Sequence, residues 1–124
     1  MMKKPKSDPV ECSNAVRALQ DAKDALGGKW ILLIIHYLIV REKENNTFKK
    51  MEKDIEGISA KMLSKELKIL EFNKIVERKI MDTKPMTVQY SITNYGKEAN
   101  NVILALLDWG KRHRSVMYGR DKLD

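Results

Sequence analysis

The sequence predicts a mainly α-helical domain with one small β-hairpin, an α+β fold around a single core. Three observations lead there. Hydrophobic residues make up 43% of the chain and charged residues 33%, against only 3 prolines and 6 glycines, a balance typical of helical globular domains rather than disordered or disulfide-stapled chains. Most apolar residues recur at three-to-four spacing, the period of an amphipathic helix. Residues 75–92 depart from it, switching to strand-favouring runs on either side of a turn-forming DTKPM. At 124 residues the chain has room for one core, so a single domain over 1–124 is expected.

Each element has a local cause. Asp8, Pro9 and Glu11 form a helix-start signal, with an aspartate N-cap, a proline at the first helical position and a glutamate able to reach back to the cap. A first helix over about 9–26 follows, its Val16, Leu19, Ala22, Lys23 and Leu26 forming a narrow stripe that calls for another helix to lie against. Gly27 and Gly28 end it. The second helix, about 29–40, reads WILLIIHYLIV and is apolar nearly all round, which places it at the centre of the core. Broken by His36 and Tyr37, it falls short of the roughly 18 apolar residues of a membrane span.

Thr47 is placed to cap a short third helix, TFKKMEKDI, whose Phe48, Met51 and Ile55 share a face, and Gly57 breaks it. Ser59 then caps a fourth helix that runs to about 71 and stops at Asn73. IVERKIM and TVQYSI form the hairpin, the second alternating through Val88, Tyr90 and Ile92. Thr93 caps a last long helix over about 94–118. There Ala99, Val102, Ile103, Leu106, Leu107 and Trp109 make an apolar surface wider than a monomer of this size covers, which favours a partner. The predicted order is four helices, the hairpin and one helix, with no internal repeat.

Charge narrows the function. A net charge of +7 favours an anionic partner, and nucleic acid is the commonest such partner of a small basic domain. The opening MMKKPKSDP is followed by no apolar run, so no secretory signal is read and a cytoplasmic protein is expected. A single cysteine, Cys12, excludes an internal disulfide and a several-cysteine zinc site. His36 reads as a hydrogen-bonded core or dimer-interface residue and His113 lies in a basic tail, so no metal site is expected. With no nucleophile constellation, phosphate-cradling loop or paired-carboxylate motif, the chain is expected to be no enzyme and to need no cofactor.

The fourth helix carries the functional signal. At about 100° per residue, Leu63, Leu67 and Leu70 cluster on one side while Lys61, Ser64, Lys65 and Lys68 cluster almost opposite. A solvated surface helix also carries lysines, but here a short helix, a turn at Glu56-Gly57-Ile58 and a basic helix follow one another in helix-turn-helix order. The helix-turn-helix spans about 47–71. In that arrangement the second helix enters the major groove, lysine heads reach phosphates or guanine edges, Ser59 and Ser64 bond phosphates or bases, and Ala60 or Met62 touch thymine methyls. The hairpin, about 75–92, serves as a wing, with Lys84 beside Pro85 and with Arg78 and Lys79 on its flank suited to the phosphate backbone or the minor groove. A solvated turn with ordinary surface lysines is the alternative for the wing.

The stretches DALGGKWILLIIHYL, FKKMEKDIEGISAKMLSKELKILEFNKIVERKI, VQYSITNYGKE and LLDWGKRHR, in this order and spacing, resemble the HxlR-type winged helix-turn-helix transcriptional regulators, relatives of the MarR group. The resemblance covers about 12–114. It implies a homodimer paired through the terminal helices, with Val16, Leu19, Leu106 and Trp109 at the interface. It further implies sequence-specific binding of a near-palindromic double-stranded DNA operator by the helix from Ser59 to Lys68 and the wing around Lys84. Many family members carry an oxidant-sensing cysteine close before GGKW. The matching position here is Arg17, and Cys12 lies more than a turn upstream, which puts a redox role in doubt. Trp30 and Trp109 either line a small-molecule pocket or act as packing anchors. The rival reading is a winged-helix protein-interaction module whose basic face docks an acidic partner. No membrane partner is expected, and the effector, if any, is left open.

Overall fold

Burial is concentrated on one helix and the elements that wrap it. In the computed structural model, which describes residues 10–119 and side chains from residue 13 onward, Ile31, Ile34, Ile35 and Leu38 are fully buried. They lie on α2 (Ile31–Val40), which follows α1 (Val10–Leu26). Around α2 stand α3 (Phe48–Asp54), α4 (Ala60–Phe72), the antiparallel hairpin of β1 (Val76–Met81) and β2 (Thr87–Ile92), a short α5 (Asn94–Lys97) and α6 (Asn100–Tyr118). Met51, Leu63, Leu67, Leu70, Val76 and Ile92 close the core. Each such side chain contributes about 1.5–3 kcal/mol by leaving water.

The predicted caps form. The Lys50 amide donates to Thr47 Oγ1 at 3.1 Å, the Met62 amide to Ser59 Oγ at 3.1 Å and the Gly96 amide to Thr93 Oγ1 at 2.8 Å. Each satisfies an N–H that the first helical turn leaves open. Gly57, at φ +87, supplies the left-handed residue that turns the chain between α3 and α4. Asn73 caps α4, and the hairpin register runs from Val76 opposite Ile92 to Met81 opposite Thr87. A bridge between Thr47 and Gln89, with the Tyr90 amide donating to Asn46 O at 2.9 Å, ties β2 to the start of α3. The helix-start signal at Asp8, Pro9 and Glu11 lies outside the described residues and side chains.

Two expectations are corrected. The last helix is two, because hydrogen bonding tightens to three-residue steps, with Glu98 N to Tyr95 O and Ala99 N to Gly96 O. Gly96 sits so close to the hairpin that a Cβ there would lie 2.2 Å from Ile75 O, pinning α5 while α6 departs. Second, α2 is not buried all round. Leu33 is 55% exposed, Val40 is 62% exposed and His36 is exposed between them, an outward stripe whose period matches the helix. His36 is therefore no core residue. A groove of about 500 Å³ lies between α1, the end of α4 and α5–α6, lined in part by Ala22, Leu26, Ile75 and Ala99; neither Trp30 nor Trp109 lines it, and Trp30 packs against the core instead.

Candidate nucleic-acid interface

The candidate site is the outer face of α4 with the wing beside it. Leu63, Leu67 and Leu70 are at most 1% exposed, so α4 turns its apolar face to the core and its opposite face to solvent. Lys61, Lys65 and Lys68 then point into solvent and Ser64 is half-buried between them. Ser59 and Ala60 are exposed at the helix N-terminus, where a partial positive charge adds to that of the lysines. The Ser59 oxygen accepts from the Met62 amide, leaving the hydroxyl proton to donate outward. Met62 is half-buried and packs against the core, which leaves less of it for a base edge than the sequence pattern suggested.

On the wing, Arg78 and Lys79 are exposed on β1 and Lys84 is exposed in the turn. That turn is internally held: Thr83 Oγ1 donates to Pro85 O at 2.8 Å and lies 3.1 Å from Thr87 Oγ1. Exposed Ile80 and Met86 add apolar surface beside these cations. No carboxylate pairs with Lys61, Lys65, Lys68, Lys79 or Lys84 among the described ion pairs, so their charge faces outward.

Behind the interface, a network missed by the periodicity fixes α3 to α2. Tyr37 donates its hydroxyl proton to Asp54 Oδ2 at 2.7 Å and accepts from Lys50 Nζ at 2.9 Å, and Lys50 also pairs with Glu44 at 2.9 Å and Asp54 at 3.4 Å. The Arg41 guanidinium lies 4.1 Å from the Tyr37 ring centroid. The Tyr37 hydrogen bond and then Lys50 hold the Asp54 carboxyl below the usual carboxylate range. Burial raises the Tyr37 phenol, and the Tyr37 and Glu44 contacts raise the Lys50 ammonium. The partners lie 13 and 17 residues apart, beyond any helical period.

The terminal helices present the second surface. Among the described residues α6 buries none, with Leu106 47% and Trp109 56% exposed. On α1, Val16 is half-buried and Leu19 exposed, and Leu26 is the α1 residue that packs against the core. Cys12 falls in the first turn of α1, and its side chain lies outside the described ones.

A short capped helix, a glycine turn, a basic helix and a hairpin wing define a DNA-binding winged helix-turn-helix. The HxlR-like helix-turn-helix family pattern matches residues 25–118, and the chain belongs to that family. It is 33% identical over 101 residues to YdeP, an uncharacterized HTH-type transcriptional regulator of Bacillus subtilis, covering 82% of this chain and 74% of that protein. To the HTH-type transcriptional regulator YodB of the same organism it is 37% identical over 91 residues, 73% and 79% of the two chains. The solved reduced form of YodB matches with a TM-score of 0.62 and 32% identity over 90% of this chain and 94% of that one. The redox regulator HypR in its reduced form matches with a TM-score of 0.71 and 27% identity over 81% and 96%. The protein is thus a transcriptional regulator with a helix-turn-helix DNA-binding domain. No helix among the described residues is long and apolar enough to cross a membrane.

Proposed function

We propose that the chain, as one winged-helix domain per subunit, acts in the cytoplasm as a homodimer on a near-palindromic operator, without enzymatic activity of its own. The observation that carries this reading is the basic face of α4, set opposite a fully buried leucine face. Two such helices, one per subunit, enter major grooves about one DNA turn, roughly 34 Å, apart. Lys65, with Ser59, Ala60, Lys61, Met62, Ser64 and Lys68 around it, reads base edges and the adjoining phosphates, while Lys79 and Lys84 hold the backbone from the wing. Pairing is supported by the uncovered apolar stripes of α6, α1 and α2, where Trp109, Leu106, Leu19, Val16, Leu33 and Val40 await a partner surface.

The test compares Lys65→Ala with wild type on operator and on random duplex of equal length. Loss of a base contact weakens operator binding by about 1–3 kcal/mol and leaves random DNA nearly unaffected. An equal loss on both would remove the base-reading role. A salt-sensitive complex with an acidic protein, and no DNA preference, would instead support the interaction-module reading.

A redox role is favoured by likeness to HypR and opposed by Arg17 at the position where the resemblance places a sensing cysteine. Alkylation of Cys12 is accordingly expected to leave operator affinity unchanged, and its abolition would make Cys12 a sensor.

A further inference from the structure

The inner face of α4 holds one residue that its leucines do not explain. Glu66 is 3% exposed, on the same face as Leu63, Leu67 and Leu70, and its Oε2 meets no hydrogen-bond donor among the described residues. A buried carboxylate oxygen without a donor is a liability to stability, so its presence on this helix needs a reason. What faces it is Gly28, in the turn between α1 and α2. A Cβ at Gly28 would stand 2.7 Å from Glu66 Oε2, 3.2 Å from Oε1 and 2.8 Å from Ile31 Cγ1. Gly28 is not among the described residues with positive φ, so its lack of a side chain serves space rather than backbone conformation. The carboxylate fills the hollow that the missing Cβ leaves.

Leucine packing alone is non-directional, and a helix held only by it has neighbouring seatings of similar energy. A carboxylate that fits one hollow removes that freedom, the use of buried polar groups for conformational specificity. We propose that Glu66 is a positioning residue. Seated over Gly28, it fixes the rotation and depth of α4 against the α1–α2 turn, and so sets how the lysine ridge meets the bases. The same turn follows α1, so the pin ties the reading helix to the proposed dimer arm. This inference rests on the proposed reading of α4 as the DNA-reading helix.

The test uses the full chain with Glu66→Gln, Gly28→Ala, Glu66→Ala and the double variant Gly28→Ala/Glu66→Ala. Two quantities are measured: the melting temperature without DNA and the ratio of random-duplex to operator Kd. Glu66→Gln keeps the shape and removes the buried charge, so the melting temperature holds or rises. The ratio falls about tenfold, as when one base contact is misplaced. A merely structural role would lower the melting temperature and leave the ratio intact. Gly28→Ala lowers the ratio more in the wild-type background than in the Glu66→Ala background, because there the carboxylate it collides with is gone and only the Ile31 contact remains. An unchanged ratio in Glu66→Gln, or the same Gly28→Ala loss in both backgrounds, overturns the positioning role while wild type still discriminates. Failure of wild type itself to discriminate overturns the DNA-reading assignment of α4 and this inference with it.

Discussion

Lys84→Ala in the wing turn separates backbone binding from base reading, because a lysine that neutralises a phosphate contributes about 0.9 to the slope of log affinity against log salt. Lys61, Lys68, Lys79 and Lys84 are exposed, and none pairs with a carboxylate among the described ion pairs. With Lys65 assigned to a base, one phosphate for each of these lysines in each subunit gives a dimer slope of about −7. Doubling the salt then weakens wild type about 150-fold. Lys84→Ala removes one contact per subunit, so the slope shrinks by about 1.8 and the same doubling weakens the variant only about 40-fold. Fluorescence anisotropy on operator and random duplexes across a salt series reads both numbers, and the loss should be alike on the two DNAs. A variant with the wild-type slope and affinity would show that Lys84 does not touch phosphate.

Tyr37→Phe removes a hydroxyl that joins Asp54 to Lys50; it should cost about 1.5 kcal/mol, since both partners are partly exposed, and lower the melting temperature by a few degrees. The Asp54 carboxyl is held down in the folded state, so its contribution is present above the ordinary carboxylate pKa and lost as pH falls through the lower folded value. The stability gap between wild type and Tyr37→Phe in urea should therefore be flat from about pH 5 to 9 and narrow below about pH 4. Lys74→Gly, at a residue with φ 65, should stabilise by about 0.5–1 kcal/mol through release of left-handed strain, measured in the same titrations. Trp109→Glu on exposed α6 should give a monomer by analytical ultracentrifugation and weaken operator binding at least tenfold; a dimer of wild-type affinity would place the pairing surface elsewhere.

Much of this architecture is legible in residue types alone. Thr47, Ser59 and Thr93 mark helix starts because a hydroxyl three residues ahead of an open amide is a local, short-range device, and each makes that bond. The hairpin is legible because its alternation is also local, and β1 and β2 fall where the strand-favouring runs lie. The apolar runs were harder to divide. An outward stripe of Leu33, His36 and Val40 is indistinguishable in sequence from core when a helix is apolar all round. The break after α5 lies in Lys97-Glu98-Ala99, good helix formers, and is imposed from outside by the approach of Gly96 to Ile75. Lys74 adopts a left-handed conformation where glycine is the usual residue, held there while its carbonyl accepts from Thr93 Oγ1 at 2.8 Å. The Tyr37–Lys50–Asp54 network and the seating of Glu66 over Gly28 join residues from separate elements, so no window along the chain contains them.

The measurement closest to the central claim is binding of the purified protein to the DNA upstream of its own coding sequence, against random duplex of equal length, at two salt concentrations. A sequence-specific regulator that reads bases from α4 prefers its operator on the order of a thousandfold or more, and keeps that preference at the higher salt. Weak binding, equal on both DNAs and abolished by salt, would mean that the basic face of α4 makes only charge contacts, and would contradict the account.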